Sequence, residues 1–354
     1  MNKFKHLHFM SNDKFTESFI IFIETNFDKH EHLFLIVNIL PESQYPISMR
    51  ENIIFLDGSL CKSKNFFKFS RCLIPYFNHA SIIIFHGIFT KSIINFLFLN
   101  PIFLKKSLWV IWGGDLYYDN KYNSLNPIEN FYIFRKKNII SKLHGLITYV
   151  KGDYELARKW YGAEGKYYEC FMYPSNLYKE YSIQLKTHDT INIQVGNSAF
   201  LNNNHIEVFE KLYKFKDENI RIYVPLSYGS SKYAQQVISA GQAMFGDKLI
   251  GMTDFMAFNE YLDFLSDIDI AIFNHERQQA MGNKITLLGL GKKVYMRSDI
   301  TPWETFSAQG IKVFDIENIE LFQLDKNIRQ QNMIRVKEYF SKDNFVKQLE
   351  TVFR

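Results

Sequence analysis

At 354 residues the chain is too long for one typical hydrophobic core and fits two domains of roughly 150 to 180 residues each. A net charge of +5 falls well short of a nucleic-acid-binding footprint, and three cysteines without CxxC spacing exclude a disulfide framework or thiolate metal site, which leaves packing for Cys61, Cys72 and Cys170. Aromatic residues make up 17%, so many large rings must be buried or used at an interface. The opening MNKFKHLHFM is too polar and short for a signal peptide, and no run of about 18 apolar residues is present to span a bilayer, so the expectation is a cytoplasmic protein.

In chain order, a strand is predicted at Leu7 to Met10, a loop at Ser11 to Lys14 and a helix at Phe15 to Phe27. Further strands are predicted at Leu33 to Ile39, Ile53 to Leu56, Ile82 to His86, Leu108 to Trp112 and Leu146 to Val150, with helical patterns between several of them. Such alternation implies a parallel α/β sheet, in which ligands sit beyond the carboxyl ends of the strands. Asp13, His86 and Asp115 all follow strands and are the candidate proton acceptors. Asp115, in a glycine turn after a strand, is favoured. Each also has a structural reading, Asp115 as a helix cap and His86 as a satisfied core histidine. His6, His8, His30, His32 and His79 show no metal-ligand spacing. Between Cys61 and Phe77, Lys62, Lys64, Lys68 and Arg71 interleave with Phe66 and Phe67, and apolar residues 93 to 104 precede Lys105 and Lys106. Basic aromatic surfaces suit anionic membranes, while core helices with solvated lysines are the alternative.

Periodicity fades near Tyr173 to Leu185, which gives a first domain over residues 1 to 175 and a linker over 176 to 190. A second α/β series follows at 191 to 326, with strands at Ile191 to Val195, Ile220 to Val224, Lys248 to Ile250, Ile268 to Phe273 and Lys293 to Met296. Gly196, Asn197, Ser198 and Asn204 lie between its first strand and a helix starting near His205. Small and amide residues there suit close approach of phosphate, or Ser198 or Asn204 caps the helix. Pro225 and Tyr228 end the next strand, where the ring suits stacking on a base. Asp267 and Asp269 spell DxD, a spacing that elsewhere holds a divalent metal, but they begin a strand; no required metal and no cofactor are expected. Next, Glu276, Arg277, Gln278, Gln279, Gly282, Asn283 and Lys284 crowd the start of a helix, where unpaired amides favour anions. Arg277 and Lys284 are the candidate phosphate cations, and Glu276 the candidate ribose acceptor. The stretch 327 to 354 is predicted as a last helix returning to the first domain.

Blocks FHGIF at 85 to 89, WVIWGGDLY at 109 to 117, YP at 173 to 174, VGNS with NNNHI at 195 to 206, VPLSYG at 224 to 229 and ERQQAMG at 276 to 282 occur in one order. This series resembles glycosyltransferase family 56, whose members add N-acetylfucosamine in enterobacterial common antigen assembly. The resemblance implies a GT-B fold, two Rossmann-like domains facing across a cleft, with a dTDP-sugar donor on the second and a lipid-linked saccharide acceptor on the first. It also implies peripheral attachment at the inner face of the bacterial inner membrane. Two other readings stay open: a transferase using a UDP-sugar on another surface glycan, and a non-catalytic sugar-nucleotide-binding subunit.

Overall fold

The computed structural model describes residues 4–38, 45–117, 126–180 and 189–354. They form two compact units, one of residues 1–176 with 343–354, the other of residues 177–342. The first holds β1 (His6–Ser11), β2 (His32–Asn38), β3 (Ile53–Asp57), β4 (Ile82–His86), β5 (Ser107–Val110), β6 (Gly145–Ile147) and β7 (Lys166–Tyr168). All pair in parallel, in the order β3-β2-β1-β4-β5-β6-β7. The second holds β8 (Ile191–Val195), β9 (Ile220–Pro225), β10 (Leu249–Met252), β11 (Ile270–Phe273), β12 (Lys293–Met296) and β13 (Phe314–Asp315). Its order, β10-β9-β8-β11-β12-β13, is also parallel throughout.

Segments such as IIIFH and IAIF become strands because both faces of a parallel sheet are covered by helices, so near-continuous apolar runs are tolerated there. In the first unit Leu7, Phe9, Leu35, Ile83, Phe85 and Trp109 pack with Phe69, Leu73 and Phe77 of the helix Phe66–His79. In the second, Ile193, Val195, Ile222, Val224 and Ile272 pack with Val208 and Phe209 of the helix His205–Leu212.

Chain order reverses direction between β1 and β4 in one sheet and between β8 and β11 in the other. Loops leaving neighbouring strands at such a point diverge, opening a crevice at the carboxyl edge. Both reversals therefore fall where the sequence carries its polar loops.

Several expectations need correction. The strand predicted over Leu108 to Trp112 stops at Val110, because the amide of Trp112 is taken by the Asp115 side chain. Neither β7 nor β13 was expected. The predicted last helix is two, Lys326–Tyr339 and Lys342–Phe353, separated at Phe340 and Ser341. Phe345 on the second of these stacks on Phe22 and Phe171 at 4.6 and 4.7 Å, and Gln348 accepts the amide of Phe171 at 3.1 Å. Residue 39 of the second predicted strand and residues 181–188 of the expected linker lie outside the described residues.

Candidate active site

The carboxyl edge of the second sheet gathers the residues expected to meet the donor. Register pairs Ile272 with Val195, so the loops leaving β8 and β11 run side by side. Three consecutive asparagines tie them together. Asn202 donates to Gln279 at 2.7 Å, Asn204 donates to the carbonyl of Asn274 at 2.9 Å, and the buried Asn203 accepts from the amide of Asn197 and bonds His275 Nε2, each at 3.0 Å. Asn203 also donates to Ser198 Oγ at 3.1 Å. Neither Ser198 nor Asn204 caps the helix: Asn204 occupies the N-cap position in a left-handed conformation, φ 50°, with no side-chain cap bond. The run is a clasp rather than a cap. Gly196, at φ 67°, is required here, since a Cβ would lie 2.6 Å from His205 Nε2 and 2.8 Å from Asn203 Oδ1.

Around this clasp several buried polar atoms have no partner among the described residues: Asn197 Oδ1, His205 Nε2, both side-chain atoms of Asn274, His275 Nδ1 and Gln278 Oε1. Buried polar groups are ordinarily satisfied, because an unmet one costs on the order of 1–3 kcal/mol. Ordered water or a polar ligand would satisfy such a group of atoms. Ala280, at φ 54°, turns the chain into the helix Met281–Gly289, whose first amides have no acceptor within the helix; Gly282 and Asn283 lie in its first turn. Pro225 and Tyr228 reach the same edge, because residues 199 and 229 form a parallel bridge beyond β8 and β9. Tyr228 is exposed and stands edge-on to Phe255.

The two expected cations separate. Arg277 is half-buried in the loop, with Nη1 donating to the carbonyl of Gln278 at 2.9 Å, and Glu276 beside it is exposed. Lys284 is 0% exposed; its Nζ donates to the carbonyl of Gln279 at 2.8 Å and lies 5.2 Å from the centroid of the Phe273 ring. Burial pushes its ammonium down to about 7. Lys284 therefore braces the loop from beneath instead of presenting a charge on its surface, a correction of its expected phosphate contact. The DxD carboxylates stand at the opposite edge of the sheet, where Asp269 accepts the amide of Asn192 at 2.9 Å.

At the carboxyl edge of the first sheet the three candidate acids and bases differ sharply in environment. Asp115 is 2% exposed, and its carboxylate accepts from Trp109 Nε1 at 2.6 Å and from the amides of Ile88 and Trp112 at 3.0 Å each. Burial raises its pKa, opposed by the Lys136 ammonium. Thus Asp115 is a brace joining the loops after β4 and β5, and the favoured base of the sequence reading has no open face. Asp13 is half-buried. Its Oδ1 accepts the amide of Phe15 at 2.8 Å and the Thr16 hydroxyl at 3.2 Å, Oδ2 makes no hydrogen bond among the described residues, and desolvation raises its pKa. His86 is buried, with Nδ1 2.7 Å from the Tyr173 hydroxyl, which also accepts from Trp112 Nε1 at 2.9 Å.

The family of 4-alpha-L-fucosyltransferases, glycosyl transferase group 56, matches residues 29–353 of the sequence. The chain belongs to this family. The family 56 chain is also similar in structure to a glycosyltransferase from Rickettsia africae, at TM-score 0.66 and 12% identity over 100% of this chain and 98% of that one. Anabaena HepE in complex with UDP and glucose gives TM-score 0.65 and 9% identity, covering 98% and 99%. WaaG, a glycosyltransferase involved in lipopolysaccharide biosynthesis, gives 0.63 and 10%, covering 98% of each chain. These likenesses establish the GT-B fold, and with the family match they make this protein a sugar-transferring enzyme.

Two groups of residues in the family 56 chain read differently in three dimensions. Phe69, Leu73 and Phe77 are core, as are Ile93, Ile94, Phe96 and Leu97, whereas Phe66 is half-buried and Phe67 is 85% exposed among exposed Lys62, Lys64, Lys68 and Arg71. Leu99 and Ile102 are the outward members of the second apolar run. Among the described residues no helix is long and apolar enough to cross a membrane. Meanwhile His6, His8, His32 and His86, spread through the sequence, come together on neighbouring strands. The available signal was the i, i+2 spacing of His6 and His8 on one strand face, combined with the β2-β1-β4 adjacency that a βαβ order implies.

Proposed function

We propose that this glycosyltransferase moves a deoxy-amino sugar of the 4-acetamido-4,6-dideoxy-galactose type from a dTDP-sugar to a lipid-linked saccharide, without a required metal. The reading rests on one observation above others: among the described residues, unpartnered buried polar atoms of Asn197, His205, Asn274, His275 and Gln278 lie on the two segments that the asparagine clasp ties together ahead of the helix Met281–Gly289. A nucleoside diphosphate supplies what that edge lacks, with oxygens for amides and a base or ribose for the buried side chains. In this reading the helix amides and Arg277 stabilise the departing diphosphate in place of a metal, and Tyr228 stacks on the base. Membership in family 56 supports the sugar and the acceptor class.

Asp13 takes the proton of the acceptor hydroxyl. It is half-exposed, one of its oxygens is uncommitted, and burial has already raised its pKa toward that task. Phe67 with Lys62, Lys64, Lys68 and Arg71 meets the anionic inner face of the bacterial inner membrane, where such an acceptor resides.

Thermal-shift measurements with dTDP, UDP, GDP and CMP test the donor. Stabilisation by dTDP above the others is expected, while UDP preference moves the enzyme to another surface glycan. Nucleotide binding without transfer to any acceptor leaves only a silent subunit. Loss of turnover in EDTA that Mg²⁺ restores would overturn the metal-free mechanism. Asp13→Asn is expected to lower kcat roughly 10²–10⁴-fold, and an unchanged kcat removes Asp13 from the role.

A further inference from the structure

Connections between parallel strands are right-handed, so the direction in which each one steps along the sheet decides the face its helix covers. In the order β3-β2-β1-β4-β5-β6-β7, the steps from β3 to β4, β4 to β5 and β5 to β6 run one way, and that from β1 to β2 runs the other. The helices Phe66–His79, Lys91–Leu99 and Pro127–Ile140 therefore lie side by side on one face, and the helix Thr16–Asn26 lies on the opposite one. Each of the three turns an apolar side to the core, through Leu73 and Phe77, Ile93 and Phe96, and Ile139 and Ile140. Their outer sides are apolar too. Phe67, Leu99, Phe131 and Phe134 are each more than half exposed, as is Ile102 in the short helix Pro101–Lys106 that follows the second. Phe131 and Phe134, one turn apart, stack at 6.3 Å, and Phe134 stands edge-on to the half-buried Phe98 at 6.3 Å, so the ridge runs from the third helix onto the second. Arg135 ties the same two helices: its Nη1 donates to Asn95 Oδ1 at 2.5 Å, and its guanidinium lies 4.3 Å from the Phe131 ring centroid.

Charge is distributed just as unevenly. Asp and Glu make up 37 of the 354 residues, about one in ten, yet none occurs from Gly58 to Gly114, a stretch that holds seven lysines and arginines. That stretch supplies the first two helices, and the third adds Arg135 and Lys137 against Glu129. Cations without anions fit a uniformly anionic partner. Exposed rings flanked by Lys and Arg fit the boundary between headgroups and acyl chains, and an anionic bilayer offers both.

We infer that this three-helix face is a membrane-docking surface, with Phe131 and Phe134 entering the acyl boundary beside Leu99 and Ile102 while the cations hold anionic headgroups. The inference rests on the membrane contact proposed for Phe67 and makes it one end of a larger face. Because the helices cover a face of the sheet, docking through them lays the strands along the bilayer. The carboxyl edge that carries Asp13 then opens along the membrane plane rather than into it, and a lipid-linked saccharide approaches it from the side.

Flotation of the full chain with lipid vesicles reads the contact without any substrate. Binding is expected to vesicles containing about 30% phosphatidylglycerol, weakening in high salt, and not to phosphatidylcholine alone. Phe131→Ser combined with Phe134→Ser should lower the partition coefficient about tenfold or more at an unchanged melting temperature, since both rings are exposed in the free protein. Should that variant fail to fold, Phe131→Trp and Phe134→Trp report insertion directly. The emission each adds to that of the wild type should move to the blue on vesicles and be quenched by lipids brominated on the acyl chain; unquenched emission from both on bound protein would overturn the inference. A wild type that binds no anionic vesicle defeats the contact proposed for Phe67 and this inference together. Loss of binding in Phe67→Ser but not in the Phe131 and Phe134 double variant defeats the inference alone. Light scattering without lipid separates the other occupant: a wild-type dimer that the double variant converts to monomer would make this face a contact between copies and overturn the membrane assignment.

Discussion

Two polar clusters at the carboxyl edges of the sheets, Asp115 with Tyr173, His86 and His8 in the first and the asparagine clasp in the second, meet their hydrogen bonds differently. At the first, Asp115, Tyr173, His86 and His8 have their hydrogen bonds met by one another and by the backbone. At the second, the asparagine clasp is complete, yet Asn274, His275 and His205 keep buried atoms with no protein partner. A closed network holds shape, while an open one leaves polar atoms for water or a ligand to meet. In the proposed reading the first cluster supplies rigid positioning and the second meets the donor.

The comparison breaks most readily at Asp115. Asp115→Ala leaves three buried donors unmet, and unfolding free energy should fall by about 3 kcal/mol or more in denaturant titration. A variant that unfolds normally but has lost kcat would return Asp115 to the role of base. At the open edge, Arg277→Ala should cut kcat roughly 10²-fold, in keeping with the loss of one transition-state donor, and barely move the melting temperature. Gly196→Ala should cost about 1–3 kcal/mol, because its φ of 67° and the nearby His205 and Asn203 resist a methyl group. Its nucleotide thermal shift should vanish with it. A stable Gly196→Ala protein that still binds dTDP would remove the clasp from the site.

The smallest effect is on acid stability. His6, His32 and His86 are held down to about 4, 3 and 3 by burial, below their ordinary value of 6.5. Above pH 6.5 native and unfolded chains both carry neutral rings, and the full stability is present. As pH falls below 6.5 the unfolded chain takes protons that the native one refuses, so stability declines until about pH 3. Each ring contributes up to about 1.4 kcal/mol per pH unit. Denaturation midpoints should therefore fall with acid, and His8→Gln should flatten the slope; a pH-independent midpoint would mean the rings are protonated in the native state.

Most of the fold was legible because parallel strands buried on both faces leave apolar runs that composition alone exposes, as in Ile82 to His86 and Ile270 to Phe273. The short edge strands β7 and β13 leave no such run: Lys166 to Tyr168 has three residues and Phe314 to Asp315 two. At the candidate sites residue type pointed to the loops, and burial separated the side chains within them. Asp115 and Lys284 look like Asp13 and Arg277 in sequence, and only their surroundings turn the first pair into braces. The histidine cluster was only half signalled, by the His6 and His8 spacing, since its other members come from two further strands.

The helix Lys342–Phe353 has a consequence for how the protein is made. Phe353 packs on His6, His8 and His32, and Phe345 on Phe22, so β1 and the helix Thr16–Asn26 are covered by residues that follow the whole second unit in the chain. Unlike a domain that folds as it emerges, the first unit must wait with an exposed aromatic face while the whole second unit is translated. Chains truncated before Lys342 should expose that face and aggregate through it.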